Sequence, residues 1–284
     1  MRTNFYILLI TIFFVSSCTE IIDIELNDES NNRLVVEGSI TTEQKKHSVK
    51  LSKTSSYFSN ESAKKELGAT VTISDGNNIF ILSDEDNDGI YHTEANVKGV
   101  VDKTYVLNIE LKNGEKYFAE AYLQKVTKVD SLQYEYKKSE MPFSNNRYYY
   151  EIYIYAQEPK ATADCYQWEL YIDNIHKSDT LRKKTFISDE LVNGIYLFKW
   201  PVYEIPENQI TNEKTIIKIK TLSISKEDYD FKYALMLETD YASAGLKGPP
   251  ANIPSNINNN ALGFFTASDV NETSVEVYYK TNVN

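Results

Sequence analysis

From residue 34 onward the chain is a succession of short segments in which apolar and polar residues alternate or β-branched residues cluster, and most are closed by a turn signal. A period of two puts alternate side chains on one face, so such segments become half-buried strands rather than helices. Leu34 to Ile40, Ser48 to Ser52, Ala69 to Ser74, Asn78 to Leu82, Thr104 to Leu111 and Lys116 to Leu123 all have this character. Asp75-Gly76-Asn77, Asp86-Asn87-Asp88-Gly89 and Asn113-Gly114 separate several of them, each able to supply the positive φ of a tight turn. Asn113-Gly114 predicts a type I′ hairpin. Six or seven strands in about 90 residues, without a helical period, predict an immunoglobulin-like β-sandwich over residues 33–127. Gly99 followed by Tyr105 at the head of a strand matches the tyrosine corner of such folds, although Leu107 stands where their disulfide cysteine would be.

A second set fills residues 128–284 and predicts a further β-sandwich-like domain with one inserted helix, making the whole mainly β. Its strands are expected at Tyr148 to Tyr155, Tyr166 to Ile172, Lys184 to Ile187, Ile195 to Tyr203, Lys214 to Ile224, Ala261 to Ala267 and Ser274 to Lys280. Ser225 with Asp228 makes a capping box, and Tyr229, Tyr233, Met236, Leu237 and Tyr241 keep a helical period, which predicts a helix over 226–241. Gly245, Gly248 and Pro249-Pro250 stop it. Gly263 inside the last-but-one strand predicts a bulge or a close backbone approach.

The N-terminus carries a different signal. Arg2 precedes the apolar run Phe5 to Val15, whose eleven residues would rise only about 16 Å as a helix against a bilayer core of roughly 30 Å. That is signal-peptide length, so residues 1–17 are expected to be removed. Val15-Ser16-Ser17-Cys18 resembles the lipobox of bacterial lipoproteins, in which the cysteine thiol accepts a diacylglycerol. Residues 18–32 would then be a lipidated tether, anchored by acyl chains whose methylenes contribute about 0.8 kcal/mol each. The acidic residues just past Cys18 resemble the surface-export signals of Bacteroidota lipoproteins, and that resemblance implies an outer-membrane protein facing outward. Cys165 remains as the one free thiol, expected to be a buried small hydrophobe.

Composition removes other classes. Forty-one acidic against 30 basic residues, a net charge of −11, offer no cationic face for nucleic acid. Two cysteines exclude a disulfide scaffold, a zinc ribbon and any CxxC redox pair. No GxSxG, HExxH, GxxxxGK[ST] or GxGxxG motif occurs, and His47, His92 and His176 stand alone in polar surroundings, expected at the surface. Asp84, Asp86 and Asp88, with Gly89, match the opening of a calcium loop, although position 12 is Ala95 and the flanks read as strands; a solvated hairpin turn explains the same residues. Tyr149, Tyr153 and Tyr155 share one strand face, which suits a sugar platform or ordinary sheet packing. Trp168 and Trp200 are expected as core anchors.

With these segments in order, the chain resembles an uncharacterised family of Bacteroidota outer-membrane lipoproteins, domain of unknown function 4249, often encoded beside TonB-dependent receptors. The matching residues are Cys18 with Ile22-Asp23-Ile24, Leu34 to Thr41, Val49 to Ser52, Gly68 to Ile73, Gly89-Ile90-Tyr91 and Val129 to Leu132, then Pro249-Pro250, Asn256-Ile257 and Leu262 to Ser268. Ser255 stands where such proteins tend to have Gly. The resemblance implies an outer-membrane address and a TonB-dependent receptor as partner, and it carries no catalytic residues. The expected function is a non-enzymatic, lipid-anchored protein that binds a ligand or a partner protein and serves a TonB-dependent nutrient uptake system. A carbohydrate-active surface hydrolase and an adhesive structural protein are the alternatives.

Overall fold

The computed structural model describes residues 32–55, 62–140, 148–160, 164–240 and 253–280. The expected signal peptide, Cys18, Pro249-Pro250 and all of the tether but Asn32 lie outside the described residues.

The first strands are β1 (Leu34–Thr41), β2 (Ser48–Lys53), β3 (Lys64–Lys65), β4 (Thr70–Ser74), β5 (Ile79–Leu82), β6 (Ile90–His92), β7 (Lys103–Glu110) and β8 (Lys116–Leu123). Next come β9 (Val129–Lys138), β10 (Tyr148–Gln157), β11 (Cys165–Ile172), β12 (Ile175–His176), β13 (Thr185–Ser188), β14 (Tyr196–Pro206) and β15 (Lys214–Ile224). Helix α1 (Lys226–Asp240), β16 (Leu262–Ser268) and β17 (Val270–Tyr278) complete the order. The chain is mainly β, and its sheets stack in sandwich-like pairs around two apolar cores.

The first core lies between a sheet of order β16-β1-β2-β3, with β6 beside β2, and a sheet of order β5-β4-β7-β8. β1 illustrates why: Leu34, Val36 and Ile40 are buried in this core, while Val35, Glu37 and Ser39 between them point to the other face. Tyr105 heads β7, and its hydroxyl accepts the Val100 N–H at 2.7 Å, the corner that the sequence predicts. The Asn113-Gly114 turn is not type I′. Gly114 alone has positive φ, +87°, and its N–H donates to Leu111 O. This is a type I turn followed by a left-handed glycine, which places a G1-type bulge after it.

The second core lies between β14-β10-β9 and β12-β11-β15-β17, with β13 beside β11. Trp168 and Tyr150 are buried there, and Trp200 packs at its edge. Cys165 is buried as expected, and burial pushes its thiol up to about 11.

Arg33–Asn284 form one compact unit, and the chain's end explains how the two cores are joined. Ile257, Ala261, Phe265 and Ala267, which by chain order follow the second set of strands, pack into the first core. β16 pairs in parallel with β1, then passes through Asp269 directly into β17 of the other sandwich. The Asp269 carboxylate accepts the Thr42 hydroxyl at 2.7 Å and the Val126 N–H at 3.0 Å, so one side chain ties the first sandwich to the segment between the cores. Parallel pairing brings Gly263 against Val36, at φ +93°; a Cβ there would lie 1.9 Å from Val36 O, the close approach expected of that glycine.

The Asn-rich stretch after Pro250 covers the β8 edge. Asn258 accepts the Phe118 N–H at 2.7 Å, and Asn259 and Asn256 donate to Lys116 O and Glu120 O. Asn256 also exchanges two hydrogen bonds with the Phe265 backbone, at 2.8 and 2.9 Å. An open strand edge invites pairing with another chain, and these amides occupy it.

Candidate functional site

Every strand in a sandwich has a second face, and here two of those outer faces meet helix α1. They line a cleft of about 720 Å³. β1 contributes Val35, Glu37 and Ser39, β16 contributes Leu262, Phe264, Thr266 and Ser268, and β11 contributes Gln167, Glu169 and Tyr171. β15 adds Lys220 and Leu222, and α1 adds Asp228, Phe231, Lys232 and Leu235. The β11 residues alternate with Tyr166, Trp168 and Leu170 of the second core, so this strand is buried on both faces.

One wall is apolar. The Phe231 and Phe264 rings lie 5.2 Å apart at 26°, beside Leu235 and Leu262. The remaining surface is a set of fixed ion pairs. Lys220 reaches Glu43, in the turn after β1, at 2.5 Å, and Lys45 reaches the same carboxylate at 2.6 Å. Burial alone would raise the Glu43 pKa, but these two ammonium groups outweigh it and bring the carboxyl down to about 2. Lys184 donates to Glu169 at 2.8 Å and likewise overcomes burial to hold that carboxyl below its ordinary value. Lys232 pairs with Asp228 at 2.7 Å, one helical turn away.

Three residues of the lining carry a buried polar atom with no hydrogen-bond partner among the described residues: Gln167 Oε1, Asp228 Oδ1 and Ser268 Oγ. Chemistry sets the Gln167 orientation, because its amide nitrogen donates to Glu169 Oε1 at 2.7 Å and a flipped amide would put oxygen against oxygen. Asp228 is the acidic member of the capping box. Its N–H donates to Ser225 Oγ at 3.1 Å as predicted, but its carboxylate does not return to the cap. Oδ2 instead takes the Thr266 hydroxyl at 2.8 Å and the Lys232 ammonium, which leaves Oδ1 buried and unpaired among the described residues.

None of these cleft residues was expected from the sequence to form a site. The helix turns Asp228, Phe231, Lys232 and Leu235 inward, while Tyr233, part of the expected apolar period, is exposed. The spacing i, i+3, i+4, i+7 was available as a signal, masked because Asp and Lys four apart read as a solvated pair.

The residues singled out from sequence fall elsewhere. Cys18 lies outside the described residues. Asp84 spends both carboxylate oxygens on the Asp88 and Gly89 N–H groups, at 3.0 and 3.1 Å, and Asp88 accepts the Ile90 N–H. Among the described residues Asp84, Asp86 and Asp88 do not form a convergent acidic group; Glu158, Asp164 and Asp189 do. Tyr153 is buried, its hydroxyl between Glu151 and Glu135, and it lies under the Lys137 and Lys199 ammonium groups, so the middle of the tyrosine face is covered, with Tyr149 and Tyr155 half-buried beside it. Of the histidines expected at the surface, His47 is buried and the other two are half-buried. His47 is 2% exposed, its Nε2 facing Val97 O at 3.2 Å, and burial together with Lys45 lowers its pKa. His176 stacks on Tyr171 at 4.6 Å, and His92 is half-buried.

No curated protein matches this chain at a significant level. The profile of the family described as "Domain of unknown function (DUF4249)" matches residues 19–274, and the chain therefore belongs to that family.

Proposed function

We propose that the protein is a lipid-anchored binding protein of the outer membrane that holds an amphipathic ligand in the cleft and serves a TonB-dependent uptake system. The cleft carries this reading. An unpaired buried polar atom costs about 1–3 kcal/mol, and three residues that carry one line the same cavity. Gln167 Oε1 and Asp228 Oδ1 are acceptors, so the ligand that compensates them brings N–H or O–H donors. The Phe231 and Phe264 wall takes its apolar body. A few convergent polar groups on an apolar cavity are the usual build of a small-molecule site. The address rests on the lipobox-like Val15-Ser16-Ser17-Cys18, and the family match begins directly after it.

A hydrolase would need a carboxyl that releases a proton near neutral pH. Lysines hold Glu43 and Glu169 ionised, which favours binding over acid catalysis at those two groups.

The test is a thermal-shift screen of the full-length protein in detergent against oligosaccharides, short peptides and apolar amines, repeated on Gln167→Leu. The expected result is a raised midpoint with at least one class, lost in the variant, whose own stability changes by no more than about 1 kcal/mol. A response retained by Gln167→Leu, or none from any class, refutes the cleft as the site. Pull-downs from intact membranes that repeatedly lack a TonB-dependent receptor refute the transporter association.

A further inference from the structure

Far from the cleft residues in function, three strand ends bring carboxylates together. Glu158 follows β10, Asp164 precedes β11, and Asp189 opens the short 3-10 turn after β13. They are 3%, 6% and 2% exposed. One oxygen from each lies within 4.8 Å of the others. Oxygens that share a calcium ion at about 2.4 Å each can be at most about 4.8 Å apart, so the set has the dimensions of a coordination sphere.

The backbone holds the set independently of any ion. The Asp189 N–H donates to Asp164 O at 2.9 Å, and the Glu158 N–H donates to Ile195 O at 3.0 Å. Tyr166 donates to Glu158 Oε2 at 3.0 Å and contacts Thr127 Oγ1 at 2.9 Å, which fixes the direction of that carboxylate. One observation says that something positive is due here: Asp189 Oδ2 is buried without a hydrogen-bond partner among the described residues. Buried carboxylates are otherwise paired or bound to metal.

We propose that Glu158, Asp164 and Asp189 form a calcium site that pins the ends of β10, β11 and β13 together. Oxygen-only donors select a hard cation, and an enclosed carboxylate set suits calcium better than magnesium, which keeps most of its water. The Tyr166 phenol, bonded to one ligand, places an aromatic donor beside the ion. The site is separate from the acidic turn at Asp84, Asp86 and Asp88.

The test uses full-length protein in detergent, stripped with a chelator. Terbium stands in for calcium, with tyrosine excitation sensitising its emission and calcium competing it away. Wild type should give calcium-competed terbium emission and a calcium-dependent rise in melting temperature. Asp189→Asn should weaken binding by at least about tenfold, and it should melt no lower than wild type in chelator, because it removes a repulsive charge. Glu158→Gln, which keeps an acceptor for Tyr166, gives the same reading should Asp189→Asn fail to fold. Asp86→Asn should bind like wild type. The proposal is overturned if wild type shows no calcium response, as a cluster sharing a proton would, if Asp189→Asn or Glu158→Gln responds like wild type, or if Asp86→Asn is the variant that loses binding.

Discussion

Substituting alanine at Gly263 tests the joint on which the whole arrangement depends. Gly263 sits at φ +93°, where an L-residue costs about 1–2 kcal/mol. Its Cβ would also stand 1.9 Å from Val36 O, roughly 1.5 Å inside the ordinary contact distance of about 3.5 Å. That oxygen belongs to the backbone, so relief requires β1 and β16 to move apart by a comparable amount. Inter-strand hydrogen bonds near 2.9 Å do not survive that widening, and one or two lost bonds cost about 0.5–1.5 kcal/mol each. The expected total for Gly263→Ala is about 1.5–5 kcal/mol. Gly76→Ala is the matched control: its φ is +85° and nothing lies within 4 Å of the added Cβ, so it should cost only the conformational part. Urea unfolding followed by far-ultraviolet circular dichroism measures both. Equal losses for the two variants would refute the close parallel contact of β1 with β16.

Glu43 predicts part of the acid sensitivity. Its folded pKa, about 2, lies below the ordinary 4.5, so the stability it contributes is complete above pH 4.5 and is lost as pH falls toward 2. Melting temperatures over that window should fall less for Glu43→Gln than for wild type; parallel curves would remove the Lys220 and Lys45 pairing as the cause. Asn256→Ala deletes three side-chain hydrogen bonds, to Glu120 O and to the Phe265 backbone, and should cost about 2–4 kcal/mol by urea unfolding. Light scattering of the folded variant should also show association through the uncovered β8 edge, and an unaltered mass with unaltered stability would contradict the edge-cover role.

Local structure was legible wherever neighbours along the chain decide it. Lys116 to Leu123 and Lys214 to Ile224 are strands with the bounds that alternation predicts, and the helix covers 226–240 of the expected 226–241, Tyr241 lying outside the described residues. Tyr105 closes its corner because donor and acceptor are five residues apart. Asn113-Gly114 was placed correctly as a turn but with the wrong geometry, since the loop is longer than two residues and only Gly114 needs positive φ. The two-residue strands β3 and β12 are too short to show a period at all.

The cleft was not legible, because it is made of residues that look solvated. Gln167 and Glu169 alternate with apolar residues as on any half-wet strand, and Asp228 with Lys232 reads as an exposed helical pair. Alternation says that a strand has two faces and says nothing about what covers the polar one. That cover comes from β1 and β16, 227 residues apart where Val35 meets Leu262, and from the helix between β15 and β16. Period and turn chemistry are properties of adjacent residues, so the chain's own order dictates strands, turns and the helix. Which polar faces meet, and which carboxylates crowd at three strand ends, follows from long-range pairing energies that only the assembled sheets possess.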